Sequence, residues 1–206
     1  MDLSSIDHLL TTTRSVRKRL DLKRPVDMSV VEKCIELATQ APDGGNLGKY
    51  HFLVITDPEK RATIASYYQK SFEAYLAARK DMYANRIFDS AAYLSEHFAE
   101  VPVHIITCTE GRVDTMGAMM QAGRYGSILP ATWSLMLALR SRGLGAAWTT
   151  LHLAYEKEIS ELLGIPEDIT QGALLPVAYY TGDDFKPGKR IPATERTYFD
   201  GWGATR

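Results

Sequence analysis

Arg14-Ser15-Val16-Arg17 puts two guanidiniums and a hydroxyl within four residues. Such a set can hold an anion, because the planar arginine fork matches phosphate oxygens and each charge-assisted hydrogen bond is worth roughly 1.5–3 kcal/mol. One helical stretch later comes Ala41-Pro42-Asp43-Gly44-Gly45-Asn46. A turn of this composition offers backbone N–H groups with little side-chain bulk, so a flat ring can approach closely. Arg14 and Arg17 also stand in a run with Lys18 and Arg19, which by itself would make an ordinary solvated basic patch. Further elements tilt the balance. Trp148-Thr149-Thr150 follows the Gly143-Leu144-Gly145 turn, and Lys189-Arg190-Ile191-Pro192 adds a second basic element far along the chain. Basic and small polar groups thus recur at the ends of expected core elements.

Several chemistries have no residues to carry them. There is no Gly-x-x-x-x-Gly-Lys-Ser/Thr phosphate loop and no Gly-x-Ser-x-Gly nucleophile elbow. Gly143-Leu144-Gly145 lacks a third glycine and ends a helix where a dinucleotide fingerprint would begin one. His8, His51, His97, His104 and His152 show no metal-ligand spacing, so no metal site and no side-chain catalytic group is expected. An anion-binding arm without a nucleophile or metal points to a phosphorylated cofactor that brings its own reactivity.

The chain has 206 residues, a net charge of −1, 45% hydrophobic and 24% charged residues. This is the composition of a globular domain with a substantial core, and the charge argues against nucleic-acid binding. The start Met1-Asp2-Leu3 does not look like a targeting signal, and the apolar run Ile128 to Leu139 is too short to span a bilayer. Cys34 and Cys108 read as buried thiols of a cytoplasmic protein.

The pattern predicts helices over 4–12, from Ser29 (as a capping box) to about 41, and from Asp57-Pro58 onward. Two helical pieces are expected over 64–98, broken near Asn85, forming a lid-like excursion. Tyr67, Tyr68, Phe72, Tyr75 and Arg79 are its candidate lining residues. A central helix is expected over 127–142, with Pro130 in its first turn or kinking it, and another over 155–163, stopped by Gly164. Strands are expected over 50–56, 101–109, 146–151 and 173–181. A polar arm follows from about 186 to 206, whose Tyr198, Phe199 and Trp202 call for cover, most naturally by a partner subunit. One layered domain with helices on both faces of the sheet results, spanning 1–206.

The motifs quoted above, together with Leu163-Gly164-Ile165-Pro166, resemble in their order the signatures of the FMN-dependent nitroreductase family. The likeness runs from about Arg14 to about Pro192. It implies an α+β fold with a mixed sheet flanked by helices, in an intertwined homodimer whose FMN sites lie between the subunits. Carried over by position, Arg14 and Ser15 would hold the phosphate and ribityl end, and Arg17 would lie near the pyrimidine edge and tune the ring electrostatically. Pro42, Asp43, Gly44 and Asn46 would line the ring from the other subunit. Thr149 and Thr150 would contact it from the strand side, and Arg190 would complete the phosphate site. The implied activity is ping-pong electron transfer from NADH or NADPH to a nitroaromatic, quinone or similar conjugated small molecule, with no role for nucleic acid or membrane. A reductive dehalogenase or ene-type reductase resembling iodotyrosine deiodinase is the alternative, and a non-catalytic flavin carrier is another. Departures from the family pattern are Thr13 where an arginine is common, Asp43 where serine is usual, and Asn46-Leu47-Gly48-Lys49-Tyr50 in place of Asn-x-Gln-Pro-Trp.

Overall fold

The computed structural model describes residues 2–78 and 86–205, with backbone alone at Arg86 and Ile87. Its contacts divide the chain into a main unit, 14–182, and a terminal unit made of 1–13 and 183–206.

The main unit is built on four strands: β1 (Tyr50–Ile55), β2 (Val103–Glu110), β3 (Leu144–Ala146) and β4 (Ile169–Tyr179), in the order β1-β2-β4-β3. All pairings among them are antiparallel. The fold class is α+β as expected, but the mixed sheet is not what these four strands form. β2 and β4 lie in the middle and are buried almost throughout, which explains their near-continuous apolar runs. Their register slips between Ile106 and Cys108. There the Thr107 hydroxyl accepts from the Ala173 N–H at 3.0 Å, and a Cβ on Gly172 would come within 3.0 Å of that hydroxyl oxygen. Glycine is needed where the bulge brings the two backbones together.

Counting the first, terminal-unit helix as α1 (Leu3–Thr12), the helices of the main unit are α2 (Met28–Ala38), α3 (Pro58–Ala77), α4 (Arg86–Glu96), α5 (Ala118–Arg140) and α6 (Glu156–Leu163). Alternation along the strands divides the core. Val103, Ile105, Leu175 and Val177 pack with Leu135 and Leu139 of α5, and Val31 and Cys34 of α2 join the same cluster. His104, one step out of phase with Val103 and Ile105, meets Phe98 at a ring distance of 4.7 Å.

Three expectations need correction. The cap of α2 is Asp27, which accepts from the Ser29 N–H at 2.9 Å, and not Ser29. Asp27 is as good a cap, and it lies two residues earlier than the serine pattern suggested. The central helix starts at Ala118, nine residues before the expected Ser127, so Pro130 lies inside it. An interior proline costs about 3 kcal/mol, which the burial of Ile128, Ala131, Leu135 and Leu139 offsets. Glycines at 117, 123 and 126 hid this extension, and it carries exposed apolar side chains: Met119 is 83% and Met120 49% exposed. The strand expected over 146–151 is only Leu144–Ala146. After it the chain makes a single bridge from Thr149 to Leu174 and then turns through a short 3-10 helix, Leu151–Tyr155. Helix α6 ends as expected at Gly164, whose φ of 67° is left-handed.

The helix expected from Asp57-Pro58 and the first of the two pieces expected over 64–98 are one continuous helix, α3, and the second piece is α4, while Arg79 and the break near Asn85 lie outside the described residues. In the terminal unit Asp2 caps α1 and His8 contacts Asp184. Tyr198 and Trp202 pair at 5.0 Å, and Trp202 is 94% exposed. No helix among the described residues is long and apolar enough to cross a membrane.

Candidate functional site

Arg14-Ser15-Val16-Arg17 is fastened to the exit of β3. The Val16 N–H donates to the Ala146 carbonyl at 2.9 Å, and the Trp148 N–H donates to Ser15 Oγ at 3.1 Å. Gly145 permits this contact, since a Cβ there would stand 3.0 Å from Val16 Cβ and 3.1 Å from Leu20. The two motifs that the sequence placed 130 residues apart therefore form one edge. Ser15 accepts through its oxygen, so its proton can still be donated to an anion.

Arg17 is half-buried, and this loss of water lowers its pKa, with Tyr68 acting in the opposite direction. Burial pushes the Tyr68 hydroxyl up to about 12, against the pull of the Arg17 cation. Tyr68 stacks on Phe98 at 4.1 Å and 22°, and Phe98 in turn meets His104, whose Nε2–H donates to the Phe98 carbonyl at 3.0 Å. Arg17 thus places a cation close enough to the buried Tyr68 for each to shift the other.

Thr149 and Thr150 part company. Thr149 is buried and its hydroxyl donates to the Leu174 carbonyl at 2.7 Å, so it serves the sheet. Thr150 is exposed and lines a cavity of about 380 Å³ between α3 and the 151–155 turn.

The Pro42–Asn46 turn is built on another neighbour, α5. Gly44 N–H donates to Ser127 Oγ at 2.9 Å, and that hydroxyl donates to the Gly123 carbonyl. Gly45, Asn46 and Gly48 have φ of 68°, 54° and 60°, left-handed values that glycine and asparagine tolerate best. Asp43 Oδ2 accepts from the Gly48 N–H at 2.5 Å, which with lesser help from Ser127, Leu47 and Arg124 holds its carboxyl below the usual range. The departure from serine to aspartate at this position thus has a job within the turn. A cavity of about 200 Å³ opens beside it, lined by Asp43, Leu47, Met120 and Arg124 among others. Arg190 lies in the terminal unit, exposed, with Nη1 donating to the Lys189 carbonyl at 3.0 Å.

Of the excursion residues, Tyr68 and Phe72 are buried, and Tyr67 stacks on Tyr155 at 4.9 Å. Lys70, Ser71 and Tyr155, none of them singled out together from the sequence, also line the cavity beside Thr150. Ser71 is one helical turn from Tyr67 and Tyr68, so helical spacing within that aromatic run was the available signal. Among the described residues no cluster of three or more His, Cys, Asp or Glu could hold a metal.

The model of the nitroreductase family matches residues 10–179 of this chain. The chain belongs to the nitroreductase family. It is an oxidoreductase of that flavoprotein family. An Archaeoglobus fulgidus protein named as an NADH dehydrogenase/NAD(P)H nitroreductase is 28% identical over 191 residues, covering 88% of this chain and 93% of that one. Iodotyrosine deiodinase of Drosophila melanogaster is 27% identical over 184 residues, covering 83% of this chain and 61% of its own. The crystal structure of a nitroreductase with bound FMN from Desulfitobacterium hafniense superimposes with a TM-score of 0.70 over 97% of this chain and 100% of that one, at 20% identity.

Proposed function

We propose that this protein is an FMN-dependent NAD(P)H oxidoreductase that works as a homodimer and passes electrons to a conjugated small-molecule acceptor such as a nitroaromatic or quinone. The observation that carries this reading is the Arg14–Arg17 segment fastened to the exit of β3 through Val16 and Ser15, with half-buried Arg17 near enough to Tyr68 to feel its charge. The donor set fits the cofactor: two guanidiniums and a hydroxyl with a proton to give suit a phosphate and an electron-rich ring edge.

In this reading Arg14 and Ser15 hold the phosphate and ribityl end, and Arg17 faces the pyrimidine edge. Thr150 closes the strand side, while Thr149 keeps that segment on β4. Pro42, Asp43, Gly44 and Asn46 come from the second subunit, where the exposed Met119 and Met120 of α5 supply apolar surface for the contact. FMN, when bound, supplies the capacity to accept a hydride from NAD(P)H and to deliver electrons onward. The chain's own work is electrostatic. A guanidinium ~4 Å from a developing negative charge is worth about 4 kcal/mol at an effective dielectric of 20, before desolvation.

The test is direct. Purified protein should be yellow, release FMN on denaturation, and sediment as a dimer; colourless protein that fails to take up added FMN refutes the reading. A reductive dehalogenase is the second reading, favoured by the likeness to iodotyrosine deiodinase. Comparing products from halophenols with those from nitroaromatics separates the two.

A further inference from the structure

The cavity of about 200 Å³ beside the Pro42–Asn46 turn is lined by Asp43, Gly44, Lys49, Gly123 and Arg124, among others. Arg124 is half-buried, yet none of its nitrogens has a hydrogen-bond or ion-pair partner among the described residues. Arg61 and Arg112, buried to a similar degree, are both satisfied. Arg61 Nη1 donates to the Ala99 and Val101 carbonyls at 2.7 and 2.6 Å, and Arg112 clasps Glu156 at 3.0 and 2.9 Å. A guanidinium drawn out of water without an acceptor is costly, and an anion that reaches it recovers that cost. Of the three nitrogens of Arg124 only Nε is sealed from solvent, so the two ends of the fork stay reachable. Gly123 and Gly126 flank it on α5, and a Cβ at either would meet nothing within 4 Å.

Lys49, on the segment entering β1, brings a second cation to the same cavity. Its one ion pair, to Glu110 at 3.9 Å, is long. The Asp43 carboxylate also lines the cavity, with Oδ2 taken by the Gly48 N–H at 2.5 Å, so two cations stand against one carboxylate. The Ser127 and Thr109 hydroxyls donate to the Gly123 and Lys49 carbonyls, which leaves Arg124 and Lys49 as the donors for a ligand. A site for a whole small molecule takes about 300–1,000 Å³; this cavity admits a single charged group. One fork satisfies a planar carboxylate, whereas a fork and an ammonium on different elements suit a tetrahedral dianion whose oxygens point several ways.

We propose that this cavity binds a phosphate dianion between Arg124 and Lys49. Two sources carry that group. One is the 2′-phosphate of NADPH, which rests on the reading above and makes these two residues the ones that favour NADPH over NADH. The other is a phosphate free of the dinucleotide.

The test is calorimetric titration of the full-length protein, saturated with FMN so that the cofactor's own phosphate site is filled, using inorganic phosphate, 2′-AMP and adenosine. Phosphate and 2′-AMP should bind and adenosine should not. Arg124→Met and Lys49→Met should each weaken phosphate about tenfold, or ~1.4 kcal/mol, while Asp43→Asn, which removes the opposing carboxylate, should tighten it. In turnover, a similar fall in kcat/KM for NADPH with NADH unchanged assigns the 2′-phosphate. Both dinucleotides unchanged, with phosphate binding still lost, assigns the free anion. Phosphate that fails to bind the wild type, or binds both methionine variants as tightly, overturns the proposal. So does an Arg124→Met protein that becomes monomeric and keeps its phosphate affinity, for the guanidinium then serves a carboxylate of the second copy. Lys49 makes its structural contacts through its carbonyl, which accepts from the Glu110 N–H at 3.1 Å and the Thr109 hydroxyl at 2.9 Å. Lys49→Met therefore keeps the test valid if Arg124→Met fails to fold. Protein that takes up no FMN refutes the oxidoreductase reading, while the difference between wild type and Lys49→Met still reads the cavity.

Discussion

His152 should set part of this protein's acid limit. It is fully buried in the short turn after Thr150, and neither ring nitrogen has a hydrogen-bond partner. Burial pushes its pKa down to about 3; His104 is likewise pushed down to about 3, by burial that outweighs its bond to the Phe98 carbonyl. In the unfolded chain each titrates near ~6.5. The folded value lies below the unfolded one, so each contribution is complete above about pH 6.5 and is lost as pH falls toward 3. At ~1.4 kcal/mol per pH unit, each histidine costs roughly 3 kcal/mol between pH 8 and 4.5. The two together approach the ~5–15 kcal/mol of a typical domain. Replacing His152 with leucine removes two unpaired nitrogens, so stability at pH 8 should hold or rise, and the fall between pH 8 and 4.5 should shrink by roughly 3 kcal/mol. Urea unfolding followed by circular dichroism across this range, wild type minus His152→Leu, cancels the carboxylates common to both. Parallel stability curves for the two proteins would refute the argument, because they would mean that His152 gains its proton as easily folded as unfolded.

Other substitutions test the site. Gly145→Ala drives a Cβ to 3.0 Å from Val16; it should cost about 1–3 kcal/mol and weaken FMN retention, seen as flavin lost on gel filtration. Arg17→Ala should slow flavin reduction in stopped-flow mixing with NADH or NADPH by more than it weakens dimerisation, and a wild-type rate would remove Arg17 from the tuning role. Glu156→Gln breaks a two-pronged contact with Arg112, at 3.0 and 2.9 Å, that also takes the Gln171 N–H. Both partners keep some exposure, so about 1–2 kcal/mol is expected, read as a Tm lowered by roughly 2–4 °C for each kcal/mol.

Local patterns carried much of this fold. Asp57-Pro58 opens α3 and Gly164 closes α6 because caps, fixed proline φ and left-handed glycine act within a few residues. The motif order Arg14 to Pro192 carried the family, since it needs residue types and spacing only. Where local signals conflicted, tertiary packing won. Nothing near Pro130 predicted that α5 would run through it from Ala118, because the compensation comes from the buried face of that helix against the sheet.

The site divides the same way. From the order of residues alone came the glycine turn and the expectation of an anion-binding arm for a phosphorylated cofactor. Only the folded chain decided that Ser15 meets Trp148, that Thr149 spends its hydroxyl on β4 while Thr150 keeps its own for the cavity, and that Ser71 has none of the usual partners. Hydrogen-bond accounting depends on neighbours distant in sequence, and no spacing rule can supply those.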